Sequence, residues 1–181
     1  MLLQSAAETV LRALMAEAIA RAIDAAVIAG AGVLGAPQGV LYTSGIGTQS
    51  GASLGSAGLR TMRKTVLLAG AREDKLRVFA DPASQEVLSG REHTSGGGAM
   101  LWARRQVLDL PATATTLVPA NTLLVGDFSR VTVVFFDASA IEVEYDPFTN
   151  FKSGVVQFRL IVPVDVVVSP AAAFCVASSV S

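Results

Sequence analysis

The residues able to do chemistry are few. His93 is the only histidine and Cys175 the only cysteine among 181 residues. A general base needs an orienting neighbour and a pocket, whereas Arg91-Glu92-His93-Thr94-Ser95, running into three glycines, reads as a mobile surface loop. Cys175 cannot close an intramolecular disulfide, and one cysteine with one histidine cannot furnish the paired donors of a zinc site. Within Phe174-Cys175-Val176-Ala177 it reads as a small buried hydrophobe. Ser44-Gly45 and Ser50-Gly51 lack the Gly-x-Ser-x-Gly elbow of a hydrolase nucleophile. Gly30-Ala31-Gly32 and Gly45-Ile46-Gly47 have the look of phosphate-loop fragments, but neither completes Gly-x-Gly-x-x-Gly nor ends in Lys-Ser/Thr. Glu142, Glu144 and Asp146 alternate with Ile141, Val143 and Tyr145, giving a strand one acidic face. That face could approach a cation; a solvated surface or a charge partner for a neighbouring subunit is the better reading. Arg60, Arg63, Lys64, Arg72, Lys75 and Arg77 make residues 57–77 basic, offset by Glu73 and Asp74. This reads as a solvated helix face, with subunit contact next. No residue is assigned a catalytic, cofactor-binding or metal-ligating role, and no cofactor is expected.

The elements that must carry these residues follow from periodicity. Leu3, Ala7, Val10, Leu11, Leu14, Ala18, Ile19, Ala22, Ile23, Ala26 and Val27 recur at helical spacing, predicting an amphipathic rod of about 25 residues. Ser5 and Glu8 read as its capping box, and Gly30 with Gly32 as its stop. Residues 30–58 hold nine glycines and read as loop apart from Val40-Leu41-Tyr42. A second helix is predicted over 56–71, a buried strand over 76–80, and a brief helix from Pro82 through Leu88. Strands are predicted over 101–108, 122–126, 131–136, 141–145, 155–168 and 174–177. Helix first and strands last point to an α+β protein. Neither an internal repeat nor a low-complexity tail is visible.

Composition narrows the class. The length suits one domain of roughly 100–200 residues. A net charge of -1 and a pI near 5.8 give no electrostatic footprint for nucleic acid. The hydrophobic share is 51% and the charged share only 16%, with a mean hydropathy of +0.52, against about 25% charged in ordinary domains. A spanning helix needs about 20 apolar residues, and Asp24, Pro37, Lys64, Asp137 and Asp165 interrupt every long apolar run. Charges through residues 1–29 break the uncharged core of a signal peptide. The excess therefore predicts a cytosolic protein that buries surface against partners. Eleven arginines against three lysines fit that reading, because the weakly hydrated guanidinium suits interfaces.

An ordered series of residues is more specific. Leu2-Leu3-Gln4-Ser5-Ala6, Glu8, Ala18-Ile19-Ala20, Ala22 to Ala26, Gly30-Ala31-Gly32, Pro37-Gln38-Gly39-Val40-Leu41 and Thr43-Ser44-Gly45-Ile46 are followed in order by a second group. That group is Asn121-Thr122, Gly126-Asp127-Phe128-Ser129, Ile141-Glu142-Val143, Asp146-Pro147-Phe148-Thr149, Gly154, Arg159, Asp165 and Ala173-Phe174. The series resembles the central and C-terminal part of the tailed-bacteriophage major capsid protein family. The resemblance implies the α+β capsid fold shared with herpesvirus shells. Residues 1–36 would be the peripheral domain's spine helix and exit loop, 37–138 an axial α/β domain, and 139–181 the peripheral strands with a last segment returning to the axial domain. Gly30, Gly32, Pro37 and Gly39 would form the passage between domains.

By that resemblance the chain is not an enzyme but a structural subunit of a phage or prophage icosahedral shell, found in the virion capsid and in the bacterial cytoplasm during assembly. Its partners would be copies of itself in pentamers and hexamers, other capsid or scaffold components, and packaged DNA held non-specifically, with no membrane involved. An encapsulin-like nanocompartment shell is the nearer alternative, and a small-ligand-binding or enzymatic α+β domain the alternative of another class. Ala103-Arg104-Arg105 stands where many relatives have Gly-aromatic-Pro, and Pro163 where a second basic residue is common. Relatives also have an N-terminal arm and an extended loop ahead of the spine helix, where this chain begins. The expectation is that the parts lashing neighbouring subunits together are missing, either because Met1 is an internal boundary or because the chain is a reduced relative. Expressed alone, it is then expected to be monomeric or to form small rings and aggregates. Covalent cross-linking, which needs a lysine of that loop, does not carry over.

Overall fold

The computed structural model describes residues 2–94, 96–136, 142–146 and 148–181. Ser95, Asp137, Ile141 and Pro147, used in the readings above, lie outside the described residues. Helix α1 runs Leu2–Ala29, so Ser5 sits inside it and cannot be its cap. The helix stops as expected, for a steric reason. A Cβ on Gly30 would lie 2.3 Å from the Pro37 carbonyl oxygen, and one on Gly39 would lie 2.5 Å from the Gly30 nitrogen. The two glycines pack backbone on backbone, joined by Gly39 N donating to Gly30 O at 2.8 Å. The single apolar stripe needs correction. Met15, Ile19, Ile23 and Val27 are half-buried at four-residue spacing, whereas Val10, Leu11 and Leu14 are exposed.

The chain divides into two units. One comprises Met1–Asp24 with Val133–Asp165, the other Ala25–Thr132 with Val166–Ser181. The second unit holds a seven-stranded mixed sheet. Its strands are β1 (Gly47–Ser50), β2 (Leu76–Ala80), β3 (Trp102–Ala103), β4 (Gln106–Val107), β5 (Leu110–Ala114), β6 (Thr122–Asp127) and, last in sequence, β11 (Phe174–Ser178). Their spatial order is β1-β11-β6-β2-β5-β4-β3. β1 runs parallel to β11 and β2 parallel to β5, while β6 lies antiparallel between β11 and β2. Helix α2 (Ser56–Leu68) packs over β1, β6 and β11, and its Leu59, Met62 and Val66 join one core with Val78, Leu123, Val125, Cys175 and Ala177. Helix α3 (Pro82–Ser89) follows β2 directly.

β6 is buried at every position. On one side Gly126 pairs with Phe174 across the ladder, and a Cβ there would lie 2.1 Å from the Phe174 ring. Phe128 stands edge-on to that ring at 5.3 Å and to Phe79 at 4.7 Å, the preferred geometry for aromatic quadrupoles.

Three expectations are overturned here. The single strand over 101–108 is two short strands around a turn at Arg104 and Arg105, with φ of +49° and +62°. A second turn at Leu108 and Asp109, φ +47° and +67°, leads into β5, a strand the sequence pattern hides behind Pro111. Both are two-residue turns with positive φ throughout, whose twist matches paired strands, built here without a glycine. The run 155–168 is likewise broken at Val162-Pro163 into β9 (Gln157–Ile161) and β10 (Val164–Val168). β1 lies inside the glycine-rich stretch read as loop. β7 (Val131–Phe135) pairs with β10, and β8 (Glu142–Asp146) with β9.

Replacing Gly126 by alanine should force Phe174 out of its place and cost about 1–3 kcal/mol, the usual range for overpacking. The measurement is the urea midpoint with fluorescence or circular dichroism; an unchanged midpoint would show that the ring tolerates a methyl group.

Candidate functional site

The candidate residues of the sequence do not converge. His93 takes a hydrogen bond from Arg60 Nη2 at 3.2 Å; arginine can only donate, so Nε2 is the acceptor in this pair. Its loop is held, not loose: His93 N donates to Ala99 O at 2.6 Å, Leu101 N to Arg91 O at 2.8 Å, and Gly96 N to Glu92 Oε2 at 2.7 Å. Arg91 reaches the carbonyls of Leu54 and Ser181. A hollow of about 200 Å³ lies between His93, Met100 and Leu108. Cys175 is buried among the core residues, and burial pushes its thiol up to about 11. Ser50 Oγ accepts from Ala52 N at 3.3 Å, a turn contact.

The acidic strand is organised by its hairpin partner. Glu142 pairs with Ile161, Glu144 with Arg159 and Asp146 with Gln157 on one face, and Val143 with Leu160 and Tyr145 with Phe158 on the other. Glu144 lies 3.8 Å from Arg159. Asp146 accepts from Phe148 N at 2.8 Å, from Thr149 N at 3.1 Å and from the Thr149 hydroxyl, which hold its carboxyl below the usual range. Among the described residues no group of three or more metal-ligating side chains exists. The basic residues are largely engaged within the chain. Arg63 pairs with Glu73, Lys75 with Asp74, and Arg77 donates to the Leu76 carbonyl.

Two carboxylates not considered as candidate site residues do most. Asp127 is fully buried at the end of β6 and accepts from Arg72 N (3.2 Å), Ser129 N (3.1 Å) and the Ser129 hydroxyl, with Arg72 Nε at 3.8 Å and Arg130 Nε at 3.7 Å. Asp81 caps α3 through Ala83 N (3.2 Å) and Ser84 N (3.3 Å) and accepts Thr122 N (3.2 Å) at the start of β6. Both ends of β6 are thereby tied to carboxylates whose acceptor capacity is taken up internally. The signals were available: Asp-Pro at a helix start is a cap followed by a first-turn proline, and Asp-x-Ser after a strand is an Asx turn.

What the surface offers is apolar. The first unit contains no buried hydrophobic side chain among those described, yet holds twelve of the eighteen exposed large hydrophobics, three on α1 and nine between Val134 and Phe158. The apolar face of the β8–β9 hairpin is part of this: Tyr145 is 69% and Phe158 47% exposed. Among the described residues no helix is long and apolar enough to cross a membrane.

The model of the phage capsid family matches residues 1–179. Among solved structures, the capsid of a native GTA particle computed with C5 symmetry aligns with a TM-score of 0.67 and 21% identity, covering 96% of this chain and 66% of that one. The Gordonia phage Cozz chain aligns with a TM-score of 0.66 and 21% identity, covering 94% and 62%. A virus-like particle from Pyrococcus furiosus aligns at 0.50 with 15% identity, covering 77% and 58%. The chain thus spans just under two-thirds of the length of these neighbours. No curated protein matches it in sequence.

The carboxylate ties imply acid sensitivity. Burial alone would raise Asp81 and Asp127, but hydrogen bonds from Ser84 to the first and from Ser129 and Arg72 to the second outweigh it, and both sit below the ordinary value. A folded pKa below the unfolded value of about 3.9 stabilises at every higher pH, and that contribution is lost as pH falls through about 4 and below. Urea midpoints should hold between about pH 7 and 5 and drop below about 4. Asp127→Asn should be less stable at neutral pH and show a shallower acid decline; an identical acid slope in the variant would contradict the assignment.

Proposed function

The chain belongs to the phage capsid family, and from that premise we propose that it is a structural subunit of a phage or prophage shell, completed by contact with its own copies. The observation that carries this is the first unit. Ordering a residue costs roughly 1–2 kcal/mol of backbone entropy, offset chiefly by burying apolar surface at about 25 cal/mol per Å². A unit without one buried hydrophobic side chain among those described cannot meet that cost alone. Exposed apolar area of this extent marks an interaction surface. The nanocompartment alternative is not favoured, since the family match is to phage capsid proteins.

In this reading the seven-stranded unit, Ala25–Thr132 with Val166–Ser181, serves as the axial domain, in place of the bounds 37–138 expected from the sequence, and the unit of Met1–Asp24 with Val133–Asp165 serves as the peripheral domain. Copies meet through heterologous contacts that close into rings of five or six. Other capsid or scaffold components and packaged DNA would be the remaining partners, and the virion shell the site of action. The net charge of -1 leaves DNA contact weak and sequence-independent.

Sedimentation velocity with negative-stain microscopy over a concentration series tests the main claim. The residue pattern left a monomer open, but the uncovered apolar side chains of the first unit favour concentration-dependent small rings or association through that surface; a chain that stays monomeric throughout overturns the claim. Filter binding tests the second: affinity for duplex DNA should be alike for unrelated sequences and fall steeply between about 50 and 200 mM salt. Sequence-selective binding that survives the higher salt would contradict it.

A further inference from the structure

Between α1 and the turn Val40–Tyr42 the chain makes a short loop that is pinned along its length. Ala31 bridges Gln38, Gly32 N donates to Pro37 O at 3.3 Å, Ala36 N to Val33 O at 3.0 Å, and the Gly30–Gly39 contact closes the base. Gln38 Nε2 donates to Tyr42 O at 2.6 Å, tying the half-exposed Tyr42 to the same base. At the tip stand Val33 and Leu34. Leu34 is 105% exposed and has φ +54°. Two independent costs fall on this one residue: its whole apolar side chain is in water, and its backbone adopts the left-handed conformation that a Cβ opposes. Glycine would remove both. Within this chain the Leu34 side chain does nothing for the fold, and a rigid loop holds it out.

We propose that the Val33–Leu34 tip is an anchoring knob that inserts into an apolar recess on a second copy of this chain. The inference rests on the shell-subunit reading, which supplies the second copy. Charge chooses among occupants. Residues 25–59 carry no Asp, Glu, Lys or Arg, so the segment offers nothing to nucleic acid, to an anionic lipid headgroup or to a charged peptide. Two side chains bury far less than the roughly 1,200–2,000 Å² of a stable interface. The knob is therefore the desolvated centre of a larger contact, where a few packed anchors carry most of the binding energy.

The test sets folding against association. Leu34→Gly should leave the thermal midpoint unchanged or raised while weakening self-association about tenfold or more in sedimentation velocity. Leu68→Ala, at another exposed leucine, the last residue of α2, should leave association as it is. A photo-reactive benzoylphenylalanine at position 34 should cross-link chain to chain, with the partner peptide identified by mass spectrometry. If the natural chain associates and Leu34→Gly associates equally, the knob is wrong and the shell reading stands. If the natural chain never associates, the shell reading falls. A lowered thermal midpoint in Leu34→Gly, or cross-links only within one chain or to added lipid vesicles, overturns the knob as well.

Discussion

The Phe174 ring lies across the backbone of Gly126, and that contact lets β6 be covered on both faces at once. A side chain at position 126 would lift the ring away from Phe128 and Phe79 and open the aromatic side of the sheet. With the ring in place, α2 closes the other side through Leu59, Met62 and Val66. A strand buried at all six positions needs its polar ends satisfied as well. Asp81 takes the amide at Thr122, and Asp127 turns inward at the far end to collect Arg72 and Ser129. The carboxylates are structural in consequence: each is where it is because β6 ends there.

That arrangement explains which elements were legible in the residue pattern. α2, β2 and α3 were read within a few residues because each has its apolar side turned to this core, so period and burial agree. β3, β4 and β5 were not, because their reversals use Arg104-Arg105 and Leu108-Asp109 where turn chemistry leads one to look for Asn-Gly or Asp-Gly. β1 was hidden by Gly47, which the approach of Thr65 and Cys175 requires to be small: a Cβ there would lie 3.1 Å and 3.3 Å from them. Of the residues considered, Cys175 was read as the core residue it is, whereas His93, read as part of a mobile surface loop, is tied by Arg60 and by its backbone to Ala99, and the acidic strand was read as a solvated face without its hairpin partner. Asp81 and Asp127 escaped because their importance arises only when β2, α3 and β6 meet.

The misreading of α1 has a different origin. Its apolar residues recur at three- and four-residue spacing, but Arg12, Glu17, Arg21 and Asp24 interrupt them on more than one side, so no single apolar face is set apart, and Val10, Leu11 and Leu14 turn to solvent. Spacing alone is silent on which apolar residues are covered and on whether the cover belongs to the same chain. The same holds for the β8–β9 hairpin, whose alternation separates Val143, Tyr145, Phe158 and Leu160 from the charged face as cleanly as if a core lay beneath.

This divides the unusual composition into two parts with different causes. The seven-stranded unit buries its apolar residues in an ordinary way, satisfies its two buried carboxylates internally and pairs several of its other charges at short range. The helix-and-hairpin unit has apolar faces without a core, and the loop following α1 adds a rigid leucine on an uncharged segment 35 residues long. A chain whose charged fraction is only 16% stays soluble as a monomer only if little apolar area is left over, and here it is concentrated in one unit and one loop tip. In the proposed reading only the first unit depends on association for its burial; the seven-stranded unit, which carries Leu34, has a core of its own. On the shell-subunit proposal, contact with a second copy would supply the first unit with the burial that its described residues lack, in the way an obligate oligomer resembles a core divided between chains.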